Sequence, residues 1–137
     1  MRLWITKTVA GAFALLSCAT HAEHDSGKWN CDGSQLEMNF CAAEKFKHAD
    51  VELNRLYQQK LAALQEPSTK ARFRAAQRSW VAFRDKACLY EAGPYDNNGG
   101  GRTIWALQDF TCREHLTKQR IMDMEEYLQC TKNGCPN

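Results

Sequence analysis

From residue 34 onward, polar and apolar side chains alternate with the period of a helix rather than a strand. Ser34-Gln35-Leu36-Glu37 has the form of a capping box, in which a Ser oxygen and a Glu carboxylate satisfy orphan N–H groups reciprocally. Apolar positions then recur at Cys41 or Ala42, Phe46, Ala49, Leu53, Leu56 with Tyr57, Leu61 and Leu64. Steps of three and four make one stripe on a first helix. Pro67 ends that run, because it lacks an N–H and disfavours helix in the residue before it. Ser68 or Thr69 is expected to cap a second helix, with a stripe of Phe73, Ala76, Trp80, Phe83 and Ala87 that runs to about Tyr90. Gly93-Pro94-Tyr95-Asp96-Asn97-Asn98-Gly99-Gly100-Gly101 reads as a loop. A third helix is expected from about Thr103 to Gln129, with Trp105, Phe110, Leu116, Ile121, Met124 and Leu128 apolar. Its periodicity weakens in the middle, so a break near Thr111 would make it two helices. Each helix must bury its stripe against the others, so the expected fold is all-α. It is a small antiparallel bundle of three helices, or four with that break, stapled by disulfides.

The first 22 residues belong to a different pattern. Arg2 and Lys7 precede a short apolar or small stretch, Val9 to Cys18, and Thr20-His21-Ala22 places small residues around a cleavage point. That order is a secretory signal peptide, residues 1–22, leaving residues 23–137 as one helical domain. A membrane span needs about 20 apolar residues, and this run is shorter. Leu15-Leu16-Ser17-Cys18 is an imperfect lipobox, so the alternative to a free periplasmic or secreted protein is a lipoprotein anchored at Cys18. Removing the leader takes two of the 18 Lys and Arg and none of the 16 Asp and Glu, so the mature chain is neutral. Neither a basic run nor a net charge points to nucleic acid.

Export gives the cysteines a meaning. Besides Cys18 there are Cys31, Cys41, Cys88, Cys112, Cys130 and Cys135, an even set that reads as disulfides in an oxidising compartment. An antiparallel hairpin about the Gly-rich loop would bring Cys88 to Cys112. Cys130 with Cys135 would close a tight C-terminal loop. Cys31 with Cys41 is one option, and Cys31 with Cys130 another. Zinc sites need close ligand pairs, whereas these gaps are wide and His24, His48 and His115 share no ligand spacing. No metal or cofactor is expected. Glu125-Glu126 and the scattered histidines form no acid–base constellation, so the chain is not read as an enzyme.

Polar residues interrupt the stripes in a pattern of their own. Gln77, Trp80, Arg84 and Cys88 follow at steps of three, four and four, which puts them on one helical face. An Arg sharing a face with Trp80 will be partly buried and needs a carboxylate. Asp85 is adjacent in sequence but points about 100° away, the angle between successive helical residues. Asp50 on the first helix is therefore the better partner. Thr117 and Arg120 repeat the theme on the third helix. The set Asp50, Gln77, Trp80, Arg84, Asp85, Thr117 and Arg120 is expected to be a structural polar network.

With these residues in view, the sequence resembles the lysozyme inhibitor LprI-like family. The matching positions are Cys41-Ala42, Ala49-Asp50, Leu53-Asn54 with Tyr57, then Ala76-Gln77-Arg78-x-Trp80-x-x-Phe83-Arg84-Asp85-x-x-Cys88. Gly99-Gly100-Gly101, Cys112 and Leu116-Thr117-x-x-Arg120 follow. The longer Gly/Asn loop and the Cys130-x4-Cys135 tail depart from the family pattern. The resemblance implies an exported bacterial helical protein that binds and blocks a lysozyme or another peptidoglycan hydrolase. An envelope accessory or immunity-type binding module with a non-lysozyme partner is the alternative.

Such hydrolases cut glycan with two carboxylates in a cleft. A blocking protein needs a pre-ordered protrusion with a donor for them. Tyr95, Asp96 and Arg102 in and beside the Gly-rich loop are one candidate contact. Lys132 in the Cys130–Cys135 loop is the other. That C-x4-C spacing is similar to the inhibitory loop of Ivy-type lysozyme inhibitors, without their Pro and His.

Overall fold

The computed structural model describes residues 28–94, 102–130 and 135, and for residues 102 and 103 the backbone alone. The leader, Cys18, Tyr95, Asp96, Lys132 and the Arg102 side chain lie outside what is described. Three helices make up the domain: α1 (Gln35–Ala63), α2 (Pro67–Ala92) and α3 (Arg102–Gln129). At 26 to 29 residues each, they are about 40 Å long. Among the described residues there is no strand.

α1 begins as its sequence demands. The Glu37 N–H donates to Ser34 Oγ, and the Ser34 N–H donates to Glu37 Oε2 at 3.0 Å, so the capping box is complete. The Ser34 hydroxyl donates to the same carboxylate at 2.8 Å. The Ser34 backbone N–H, and then its hydroxyl, hold the Glu37 carboxyl below the usual carboxylate range. Gly33 sits tightly against this cap: a Cβ there would come within 2.6 Å of Glu37 Oε2 and 3.0 Å of the Asn30 carbonyl. The Cys31–Cys41 disulfide ties the preceding segment back onto the helix.

α2 starts earlier than the expected cap at Ser68 or Thr69. Pro67 itself is the first helical residue, since its fixed φ and missing N–H suit that position, and Glu66 caps without a side-chain bond. Thr69 is buried and accepts from Arg72 Nη2 at 3.0 Å. The helix closes at Gly93, whose φ of 73° lies in the left-handed region that glycine adopts without strain, with its N–H on the Tyr90 carbonyl. α3 runs unbroken through Thr111, which removes the four-helix option. Its apolar rhythm is weak there because the side facing α2 is polar, and the Asp109–Arg113 pair one turn apart spans the point.

Contacts give the topology. Asp50 meets Arg84 and Tyr57 stacks on Phe73, so α1 and α2 are antiparallel. Arg84 meets Thr117 and Cys88 is bonded to Cys112, so α2 and α3 are antiparallel. Phe46 packs on Phe110 and Lys60 reaches the Tyr127 carbonyl, so α1 and α3 are parallel. α3 packs most extensively on α1, whose buried residues include the small Ala42 and Ala49. The α1 and α2 backbones come close at few places, and long side chains bridge them.

The apolar core is Leu53, Leu56 and Met124, flanked by Tyr57, Phe73, Trp80, Ile121, Tyr127 and Leu128. Each fully buried aliphatic side chain of this size contributes about 1.5–3 kcal/mol. The α2 stripe read from the sequence is rotated relative to the face that is buried. Thr69, Gln77, Arg84, Cys88 and Ala92 are inside, whereas Ala76 and Phe83 are exposed. The bundle accepts that rotation because the buried polar groups find partners on α1 and α3. Lys60 is also buried; its ammonium donates to the Tyr127 carbonyl at 2.9 Å, satisfying an orphan acceptor in the last turn of α3.

Cys31–Cys41, Cys88–Cys112 and Cys130–Cys135 all stand at bonding distance. Of the two options for Cys31, the structure adopts Cys41. Replacing Cys88 and Cys112 together by Ser is expected to cost about 3 kcal/mol in a urea titration, because the bond closes a long loop of the unfolded chain. Glu37→Ala is expected to lower the melting temperature at neutral pH. Because the folded-state pKa is depressed, the gap to the parent should be full above the ordinary carboxylate range and close as pH falls through that lowered pKa.

Candidate functional site

All seven polar residues singled out in the sequence lie between the helices. Arg84 is the centre. Its Nη1 donates to Asp50 Oδ1 on α1 at 2.8 Å and to the fully buried Thr117 Oγ1 on α3 at 3.2 Å. Its Nε donates to Asp85 Oδ1 at 3.0 Å. The guanidinium also lies 5.0 Å from the Phe46 ring centroid and 5.4 Å from that of Trp80. The sequence reading favoured Asp50 over Asp85, and the structure engages both. A guanidinium is a planar fork whose nitrogens point in different directions, so one donor reaches across to α1 while another turns back along α2.

The chain of charges continues. Asp85 Oδ1 also accepts from Arg113 Nη1 at 2.7 Å, and Arg113 Nε is bonded to Asp109 at 2.8 and 3.0 Å. Three carboxylates and two guanidiniums thus alternate as Asp50, Arg84, Asp85, Arg113 and Asp109, crossing all three helices. Asp109 and Arg113 were not read from the sequence. Their i,i+4 spacing on α3 was the signal for them. Below Trp80 a second group forms: Arg120 Nε donates to Gln77 Oε1 at 3.2 Å and Nη1 to Asp123 Oδ2 at 3.1 Å. Arg120 also faces Trp80 and Tyr127, so Trp80 sits between two guanidiniums.

Among the described residues, every buried side-chain nitrogen and oxygen has a partner. Groups saturated in this way brace helices and have little left to offer a substrate. Between Leu64, Phe73, Ala76 and Tyr127 lies a cavity of about 190 Å³, edged by Lys60 and Arg120. Those cations are already engaged by the Tyr127 carbonyl and by Gln77 and Asp123. Among the described residues, no group of three or more His, Cys, Asp or Glu is placed to hold a metal ion. No helix there is long and apolar enough to cross a membrane.

The end that carries the α2–α3 connection is pinned on both sides. The Trp105 indole N–H donates to the Gly93 carbonyl at 3.0 Å, and Cys88–Cys112 joins the same two helices deeper in the bundle. The connection bearing Tyr95 and Asp96 therefore leaves α2 and enters α3 from fixed points.

Residues 29–124 match the family model described as Lysozyme inhibitor LprI, a stretch that includes the whole charge network. A relative from Rhizobium meliloti (strain 1021), an uncharacterized protein, is 26% identical over 142 residues, covering 93% of this chain and 99% of that one. No solved structure matches.

Arg84→Met should destabilise the fold by about 2–3 kcal/mol in urea titration, below the cost of breaking a fully buried pair because Asp50 and Asp85 keep some water. Arg84→Lys should recover only part of this, since an ammonium cannot serve three acceptors in the same fork geometry.

Proposed function

This chain belongs to the lysozyme inhibitor LprI family, and on that premise we propose that it is an exported protein that binds and inhibits a lysozyme-type peptidoglycan hydrolase. It works by occupying the enzyme, not by chemistry of its own. Removal of residues 1–22 releases residues 23–137 into the periplasm or medium. Three disulfides suit that oxidising compartment.

The observation that carries the reading is the pinned α2–α3 end. Inhibition requires a protrusion that pays little ordering entropy on binding. The ends of α2 and α3 from which such a segment would be presented are held by Cys88–Cys112 and by Trp105 on Gly93, which supports the reading. Tyr95, Asp96 and Arg102 are then the partner-binding residues, with Lys132 in the small C-terminal loop as a further cation. Arg102 supplies the donor that pairs with a carboxylate of the hydrolase cleft. The charge network is excluded from this role because its members bond one another.

The test is turbidity clearing of bacterial cell walls by several lysozyme types with the purified protein in micromolar excess. Slowing of at least one muramidase is expected, and no slowing of any would end the reading. Arg102→Ala should weaken inhibition by about tenfold with an unchanged melting temperature. A fall in both would make Arg102 a structural residue.

A further inference from the structure

We infer that the cavity between the α1–α2 turn and the end of α3 is a binding site for a small apolar carboxylate, with its acid group on Lys60 and Arg120 and its tail between Phe73 and Tyr127. The site lies in the body of the bundle, so the inference stands whether or not the chain inhibits a hydrolase.

The buried lysine is the starting point. Lys60 is only 5% exposed, and a buried ammonium is costly unless a carboxylate meets it. Arg84, buried to the same degree, has two. Lys60 has none among the described residues, and one of its three N–H groups serves the Tyr127 carbonyl at 2.9 Å. The second cation on the wall is Arg120. Its Nε and Nη1 are taken by Gln77 and Asp123, and its Nη2 has no hydrogen bond among the described residues. The two cations share Tyr127: Lys60 holds its carbonyl, and the Arg120 guanidinium lies 5.6 Å from its ring centroid. An acid group seated there would receive charge-assisted bonds from an ammonium and a guanidinium together.

The rest of the wall decides what the acid group is attached to. Leu64, Phe73, Ala76 and Tyr127 make it almost wholly apolar, and no carboxylate lines it. The volume is about 190 Å³. An apolar cavity of about 150 Å³ holds benzene, so there is room for about six to nine carbon atoms and not for the acyl chain of a membrane lipid. Ala76 is exposed, which opens the cavity to solvent beside α2. Acids close to the wall along the chain are engaged or face water: Asp123 is bonded to Arg120, Glu125 acts on Arg55, and Glu66 and Glu126 are exposed. From Pro67 to Phe83, α2 carries Lys70, Arg72, Arg74 and Arg78 and no acid, so the approach along this helix favours an anion. A neutral apolar ligand would leave the ammonium unpaired, and a bare inorganic anion would leave the apolar wall unused. A short-tailed carboxylate satisfies both.

The experiment titrates the purified oxidised protein with octanoate in a calorimeter, beside octanol, which lacks the charge, and acetate, which lacks the tail. Octanoate should bind one to one with a Kd of about 1 mM or below, octanol about tenfold more weakly, and acetate not measurably. Ala76→Phe, at an exposed helical position on the wall, should lose octanoate binding with its melting temperature kept. Lys60→Met should weaken octanoate about tenfold and bind octanol as well as the parent does. Met122→Ala, on the exposed side of α3, should match the parent. Because Lys60→Met also gives up the bond to the Tyr127 carbonyl, Ala76→Phe decides the matter if that variant does not fold. No saturable binding of octanoate, octanol bound as tightly as octanoate, or octanoate binding undiminished in Ala76→Phe would each overturn the proposal.

Discussion

A single guanidinium sets the terms on which the three helices can pack. Arg84 is almost fully buried, and a buried charge without partners is costly, so each neighbouring helix must present an acceptor at one height. Asp50 on α1, Thr117 on α3 and Asp85 on α2 itself do so. The requirement fixes register as well as contact. Sliding α1 by one turn would leave Arg84 facing the wrong residue, whereas an apolar interface would tolerate the shift more easily. In this bundle the charges specify alignment, and the small cluster around Leu53, Leu56 and Met124 supplies the burial.

The same constraint explains the uneven spacing of the helices. α1 and α3 pack most extensively, with Phe46 on Phe110. α2 stands farther from α1, because Arg84, Trp80, Phe46, Tyr57 and Phe73 fill the space between them. Beyond these long side chains, Leu36 on α1 and Phe83 and Tyr90 on α2 are exposed. The end where α2 passes to α3 is held by a disulfide and by the indole of Trp105 in addition to the α1–α3 packing.

Function follows this division of labour. The polar residues between the helices engage one another, with carboxylates and guanidiniums alternating across the bundle. A family of inhibitors needs a rigid carrier and a surface, and chemistry at the surface is secondary. The cavity near Lys60 belongs to the carrier as well, since its cations serve the end of α3 and the Gln77 group.

The α1 capping box, the class of fold and the pairing of Arg84 with Asp50 were legible along the chain, because each depends on local periodicity or on the cost of one buried charge, whereas the continuity of α3 through Thr111 was settled by the structure. Cys88 with Cys112 was legible for the same reason, as a hairpin leaves few alternatives. The choice of Cys41 for Cys31, the engagement of Asp85, the recruitment of Asp109 and Arg113 and the burial of Lys60 were decided by tertiary structure. So was the rotation of α2 that puts Phe83 outside and Gln77 inside. A hydrophobic count along α2 places Phe73 and Trp80 correctly against the core but misplaces Ala76 and Phe83, since it scores apolar content alone. Which face turns inward depends on whether acceptors for Arg84 and donors for Gln77 stand opposite, and that is a property of three helices together.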